Sequence, residues 1–127
     1  MIALTLCAQS LHLAEEYVYQ FNLRFPALLG LTMWPETFFV AFNCAWLAVW
    51  AIAILSIAKL PRAVTFPLWF LAIASAVNGI AHPLMAIAAG GYFPGLWSSP
   101  LVGTLGFVLL RKLTFATRSK GKRRGAT

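Results

Sequence analysis

Charged residues are scarce in this sequence. Among its 127 residues, 10% are charged and 61% are hydrophobic, and the mean hydropathy is +0.80. A soluble globular domain carries roughly 25% charged residues, which it needs to cover its surface for water. The composition therefore excludes an ordinary soluble domain and predicts an all-α integral membrane protein with a single transmembrane domain.

Cysteine and early basic residues are scarce as well. The two cysteines, Cys7 and Cys44, lie inside apolar runs. We predict that both are small buried residues, because their number and spacing fit neither a disulfide framework nor a metal-binding motif. No lysine or arginine precedes Arg24. A secretory signal peptide has a basic segment at its start, so the first apolar run is predicted to be a helix of the protein itself.

Long apolar runs predict a bundle of four membrane-spanning helices. A helix needs about 20 residues to cross a hydrocarbon core of about 30 Å. The predicted spans, with approximate limits, are residues 1–21, 37–58, 63–89 and 96–110. A connection at 24–36 and a turn rich in Gly and Pro at 90–95 separate them. We assign residues 1–117 to the transmembrane domain and residues 118–127 to a basic, unstructured cytoplasmic tail.

The basic residues favour one side of the membrane. The net charge is +7, and ten residues are Lys or Arg. With both termini in the cytoplasm, nine of the ten face the cytoplasm and only Arg24 lies outside, in agreement with the excess of basic residues in cytoplasmic segments. Half of the ten are in the last ten positions, a pattern that suits anionic lipid rather than nucleic acid. We therefore expect a multi-pass protein of the cell membrane whose partners are lipids.

The first predicted span contains an unusual polar group. It holds one of the two histidines and two of the three acidic residues of the chain. At about 3.6 residues per turn, His12, Glu15, Glu16 and Tyr19 fall on one helical face. Charged groups in an apolar setting are costly unless they are neutralised, paired or bound to a cation. This face is therefore a candidate site.

A second polar pair is expected at the same depth. Asn78 and His82 are spaced i, i+4 on the third predicted span. Counting about 1.5 Å per residue from the outer ends of the helices, His12 and the two glutamates lie roughly 12 to 18 Å deep, and Asn78 and His82 roughly 10 to 17 Å deep. We therefore expect these residues to meet in the outer half of the bilayer.

Their chemistry favours a metal ion. Two imidazoles and two carboxylates suit Fe, Mn or Zn, alone or as a pair of ions, so His12, Glu15, Glu16 and His82 are the predicted ligands. A single ion would leave one glutamate as a general base or as an acceptor for an imidazole N–H. Without a metal, the same residues could hold a proton, or the histidines could serve only as hydrogen-bonding packing residues.

Three short motifs resemble those of the HXXEE family of small integral membrane proteins. His12-Leu13-Ala14-Glu15-Glu16 matches the motif that names the family, and residues 78–82 match its N-x-x-x-H motif. Residues 92–98 match Y-x-P-G-x-x-T except that Ser98 replaces Thr, which retains a hydroxyl for capping or hydrogen bonding. The family has no established activity. The residues that the resemblance implies for a site are His12, Glu15, Glu16, Asn78, His82, Tyr92, Pro94 and Gly95.

The leading functional hypothesis is a metal-dependent membrane enzyme that hydrolyses or oxidises an apolar or lipid-like substrate. In this scheme His12, His82 and Glu15 bind the ion, and Glu16 acts as a base or a further ligand. Asn78 orients a ligand or a substrate carbonyl. The predicted rim of the site consists of Tyr19, Tyr92, Pro94 and Gly95.

Two other classes of function stay open at this point. A small proton-coupled transporter would also use a glutamate in its first helix, and a non-catalytic membrane subunit would bind a partner or a pigment between its helices. The sequence alone does not decide between an enzyme and these alternatives. It also leaves open whether copies of the chain form a homo-oligomer.

Overall fold

The computed structural model describes the backbone of residues 1–124 and the side chains of residues 1–118. Over this range the chain is helical, without strands, as the sequence predicts. The five helices of this range are α1 (Ile2–Val18), α2 (Phe21–Leu28), α3 (Glu36–Ser56), α4 (Thr65–Ala88) and α5 (Ser99–Arg124).

Three of these helices, rather than the predicted four, are long and apolar enough to cross a membrane. They are α3, α4 and the part of α5 from Ser99 to Arg118. Helix α1 has 17 residues, which corresponds to about 25 Å and falls short of a core of about 30 Å. It ends at Val18 because Gln20 adopts a left-handed conformation with φ of 60°, after which α2 begins. Most of α2 therefore occupies the predicted connection at 24–36.

Small residues allow α4 and α5 to pack closely. A Cβ atom on Gly79 would lie 2.4 Å from the Cα atom of Gly103, and one on Gly106 would lie 2.4 Å from the backbone nitrogen of Ala76. No larger side chain fits at these crossings without separating the helices. This contact fixes His82 on α4 relative to the turn that leads into α5.

Helix α1 contacts α3, α4 and α5. Its buried face carries Thr5, Ala8, Gln9, His12 and Glu16. At its start, Ile2 packs against the core around Trp50, and near its end the Tyr17 hydroxyl donates a hydrogen bond to Glu36 Oε1 at 2.9 Å. Helix α1 is therefore antiparallel to α3, and its first residues lie near the loop between α3 and α4.

Apolar side chains cover much of the outer surface. Leu55 is 82% exposed and Ile87 is 77% exposed, as expected for helices whose outer faces contact lipid rather than water. Cys7 and Cys44 are also exposed. The prediction that both cysteines are buried is therefore wrong, because the apolar runs that contain them turn one face away from the core.

Helix α5 continues to Arg124, so residues predicted to be an unstructured tail extend the last helix. Residues 125–127 lie outside the described residues. The division at residue 117 into a transmembrane domain and a cytoplasmic tail stays a prediction.

Candidate metal centre

Three side chains from α1 and α4 converge in the interior. His12 Nε2 lies 3.1 Å from His82 Nε2, and Glu16 Oε1 lies 3.2 Å from His82 Nε2 and 3.5 Å from His12 Nε2. His12 is fully buried, and His82 and Glu16 are 1% and 5% exposed. Of the two glutamates expected to approach the histidines, Glu16 is the one that contacts both of them.

The backbone determines which nitrogen of His82 carries a proton. His82 Nδ1 lies 2.6 Å from the carbonyl oxygen of Pro94. A carbonyl oxygen can only accept a hydrogen bond, so Nδ1–H must be the donor. In the neutral imidazole the opposite nitrogen, Nε2, then carries a lone pair directed at Glu16 and His12.

The protonation of His12 follows from a second chain of hydrogen bonds. His12 Nδ1 lies 2.8 Å from Ser98 Oγ, and Ser98 Oγ donates its own hydrogen to Glu15 Oε2. The serine hydroxyl has one hydrogen, so it must accept from His12 Nδ1–H. The Nε2 atom of neutral His12 is therefore also a lone-pair donor.

Three electron-rich atoms thus face one another: two imidazole nitrogens and one carboxylate oxygen. Such a group is stable only when a cation, either a proton or a metal ion, is shared among the three atoms. The Nδ1 atoms of the two histidines are bonded to the carbonyl of Pro94 and to the hydroxyl of Ser98, which is itself bonded to Glu15. Acceptors of this kind orient histidines that bind metal ions.

The spacing of the three atoms fits a metal ion. For an ion about 2.0–2.1 Å from each ligand in tetrahedral geometry, neighbouring ligand atoms lie about 3.3 Å apart. The separations of 3.1, 3.2 and 3.5 Å bracket this value. A set of two histidines and one carboxylate is typical both of hydrolytic zinc sites and of non-haem iron sites.

Glu15 occupies a different place from the one predicted for it. Its two carboxylate oxygens accept hydrogen bonds from the Tyr92 hydroxyl at 2.7 Å, the Trp97 backbone N–H at 3.0 Å, and both the backbone N–H, at 2.8 Å, and the hydroxyl of Ser98. Four donors suit an ionised carboxylate, which also lies at the positive end of the α5 dipole. Glu15 is therefore placed to fix the turn and, through Ser98, the His12 ring, and it lies outside the three-residue cluster.

The turn between α4 and α5 clamps both imidazoles. Gly95 has φ of +87°, and a Cβ atom there would lie 2.5 Å from His82 Nδ1 and 2.8 Å from His12 Cε1. Pro94, whose carbonyl holds His82, is itself fully buried. Tyr19 contacts Tyr92 edge to face, with ring centroids 5.0 Å apart. The four predicted rim residues thus divide into two that touch the cluster and two tyrosines farther out.

Tyr92 lies in this turn, outside the candidate spans. Partial burial, together with its hydrogen bond to the Glu15 carboxylate, raises the pKa of its phenol above the ordinary value. Tyr92 therefore stays a hydrogen-bond donor to Glu15 throughout the neutral range.

Residues 3–109 match a family described as proteins of unknown function with an HXXEE motif. The chain belongs to the HXXEE family. No match was found among curated proteins or among solved structures. The HXXEE motif here supplies two cluster residues and Glu15, while the other two motifs supply His82 and the turn that orients both rings.

Asn78 does not join the cluster. It lines a cavity of about 430 Å³ between α1, α3 and α4, together with Glu16. No side-chain hydrogen bond of Asn78 occurs among the residues whose side chains are described, so its amide is free to bind a molecule in the cavity. Glu16 connects this cavity to the cluster, because it lines the cavity and belongs to the cluster.

Sequence analysis of this HXXEE protein missed one buried polar pair. Ser75 Oγ donates a hydrogen bond to Gln9 Oε1 at 3.0 Å, which joins α1 to α4 below the cluster. The spacing of Gln9, His12 and Glu16 at i, i+3 and i+7 contains the signal, because it places all three on one helical face. Ser98 was expected to have a capping or hydrogen-bonding role, and its hydroxyl links Glu15 to His12.

Proposed function

We propose that this HXXEE protein is an integral membrane enzyme that binds one divalent ion of Fe, Mn or Zn through His12, Glu16 and His82. Its substrate would be an apolar or lipid-like molecule that undergoes hydrolysis or oxidation. The observation that carries the proposal is the convergence of three lone-pair donors within 3.1–3.5 Å of one another in a buried site. The neighbouring aromatic cavity supports the choice of an apolar substrate.

The membrane setting is part of the proposal. Helices α3, α4 and α5 cross the cell membrane, and the loop at 57–64 and the end of α5 lie in the cytoplasm with nine of the ten basic residues. Ile2, at the start of α1, packs near that same end of the bundle, which supports a cytoplasmic N-terminus. The cluster then belongs to the outer half of the bilayer.

The groups at the proposed site would have different roles. A divalent ion at the cluster would supply Lewis acidity to a carbonyl or to a water molecule. Pro94 and Ser98 hold the two rings in the required tautomer, and Asn78 offers an amide to a substrate carbonyl in the cavity. The buried surroundings exclude bulk water and strengthen these polar interactions.

Metal analysis of purified protein tests the proposal. Wild-type protein in lipid nanodiscs, incubated in turn with Zn²⁺, Fe²⁺ and Mn²⁺, is expected to retain one ion per chain, and His12→Ala, His82→Ala and Glu16→Gln are expected to lose it. Glu36→Gln is the matched control, since Glu36 is an exposed carboxylate bonded to Tyr17. Wild-type protein that retains none of the three ions would overturn the metal proposal.

A second candidate is a proton-coupled transporter. The observation that favours it is the position of Glu16 within 3.5 Å of both imidazoles, because a shared proton would satisfy the same three atoms. Proton flux into liposomes that depends on Glu16, in protein that binds no metal, would select this candidate over the enzyme.

A further inference from the structure

The cavity beside the cluster is elongated and largely aromatic. Along α3 it runs from Phe38 to Trp50, a distance of about 18 Å. Eight of its lining residues are aromatic, among them Phe38, Phe42, Trp46, Trp50 and Phe70. Cavities of this size and lining accommodate small apolar molecules, and the shape favours a narrow one.

The cavity extends well below the cluster of His12, Glu16 and His82. On α1 its lining runs from Glu16 down to Gln9, and on α4 from Asn78 down to Phe70. These stretches correspond to about 10 Å and about 12 Å. The lining residues of α1 and of α4 thus indicate a similar depth of the cavity beneath Glu16.

Three aromatic rings close the lower end. The ring centroid of Trp46 lies 4.3 Å from that of Phe70 and 5.7 Å from that of Trp50, and Trp50 and Phe70 are 5.8 Å apart. Trp50 is 4% exposed and packs against Leu71 and Leu109 in the core. We call Trp46, Trp50 and Phe70 the aromatic floor.

Asn78 and Glu16 lie at the upper level of the cavity. Near the floor, the carbonyl oxygen of Gln9 is already bonded to Ser75, whereas the buried indole N–H of Trp50 has no hydrogen-bond partner among the described residues. Because Glu16 also belongs to the cluster, we assign the head group of a ligand to the upper level. The outer wall includes Phe38 and Phe42, which are 57% and 52% exposed. These two partly exposed side chains lie at the outer surface of the helix bundle, so a ligand could enter the cavity laterally from the lipid.

We propose that the cavity binds a single-chain amphiphile with a neutral carbonyl head group. The carbonyl lies beside Glu16 and Asn78, and the alkyl chain runs toward the cytoplasmic end as far as the aromatic floor. Trp46 limits the length of the chain that fits. This inference rests on the proposed function, because it names the class of substrate for that site.

Photo-crosslinking in nanodiscs tests the placement. The probes are straight-chain fatty N-methyl amides of increasing length with a diazirine at the terminal carbon, and the labelled residues are mapped by mass spectrometry. We expect chains that reach the floor to label residues 46–50 of α3 and residue 70 of α4. Labelling confined to outward-facing residues such as Ile52 and Leu55 would overturn the proposal.

Variants of the floor test the limit on length. Trp46→Ala is expected to shift the longest chain that labels the cavity to greater length, and Trp46→Leu to give a smaller shift. Phe66→Ala is the matched control, since Phe66 stacks on the outer side of Phe70 and does not line the cavity. Continued labelling by short chains shows that each variant is folded, and an unchanged length limit in Trp46→Ala would refute the role of Trp46.

The His82→Ala variant separates this inference from the proposed function. It is expected to lose the metal ion and to keep the pattern of chain labelling. A wild-type protein that binds metal without labelling at the floor would refute the amphiphile proposal alone. Labelling at the floor without metal binding would refute the metal proposal alone.

Discussion

Substitution of Gly95 by alanine tests whether the α4–α5 turn sets the geometry of the cluster. The added methyl group would lie 2.5 Å from His82 Cε1 and Nδ1 and 2.8 Å from His12 Cε1. Carbon atoms in contact lie about 3.5–4.0 Å apart, so both rings must move. In the same turn the carbonyl oxygen of Pro94 accepts a hydrogen bond from His82 Nδ1–H, so a movement of this ring also disturbs the turn.

Two costs contribute to the effect of Gly95→Ala. A left-handed conformation costs a residue with a side chain roughly 1–2 kcal/mol, and overpacking in a tight interior costs about 1–3 kcal/mol more. Loss of the outer hydrogen bonds that orient metal ligands lowers metal affinity by about 10–100-fold. We expect a decrease in affinity in this range together with reduced thermal stability.

Gly90→Ala is the matched control. Gly90 has φ of +71°, close to the +87° of Gly95, but a Cβ atom there would have no neighbour within 4 Å. It therefore carries the backbone cost without the steric one. Dissociation constants for Zn²⁺, measured by competition with a chromogenic chelator, should be near wild type in Gly90→Ala and raised at least about 10-fold in Gly95→Ala. Equal affinities in the two variants would refute the idea that the turn positions the imidazoles.

Three further predictions concern the same region. Ser98→Ala should weaken Zn²⁺ binding by about 10-fold or more, because it breaks the link between Glu15 and His12, while Ser98→Thr should not; equal loss in both would contradict that link. Because the pKa of Tyr92 is raised in the folded state, the hydrogen bond from its phenol to Glu15 stabilises the fold fully below pH 10, and this stabilisation is lost as pH rises through the folded-state pKa. The melting temperature should therefore fall in alkali less steeply in Tyr92→Phe than in wild type. Gly103→Leu should unfold the α4–α5 pair by forcing a side chain against Gly79, with a melting temperature well below wild type, and an unchanged value would exclude the close helix contact.

The helical class and the bounds of the two longest uncharged spans could be predicted from the sequence. Charge-free runs that end in basic or proline-containing segments located α3 and α4 to within two residues at all four ends. The end of α1 could not be predicted from the sequence, because it depends on the left-handed conformation of Gln20. Glutamine has no intrinsic preference for that conformation.

The approach of the two histidines to the glutamate pair was predictable from the sequence, whereas the separate positions of Glu15 and Asn78 were not. Helical spacing and depth indicated that the two histidines meet the paired glutamates, and they lie within 3.5 Å of Glu16. Spacing cannot tell Glu15 from Glu16, since positions i+3 and i+4 from His12 both lie on the helical face of His12. The choice depends on the turn before α5, where the backbone N–H groups of Trp97 and Ser98 bind Glu15, while Glu16 faces the two histidines.

Both imidazoles precede in the chain the turn that orients them. The partner of His82 is Pro94 and that of His12 is Ser98, and neither exists until the final hairpin of the nascent protein has been made. For the proposed metal centre, full affinity for an ion would therefore require that residues 94–98 have already been made. Loading of the proposed ion would then follow synthesis of the α4–α5 turn.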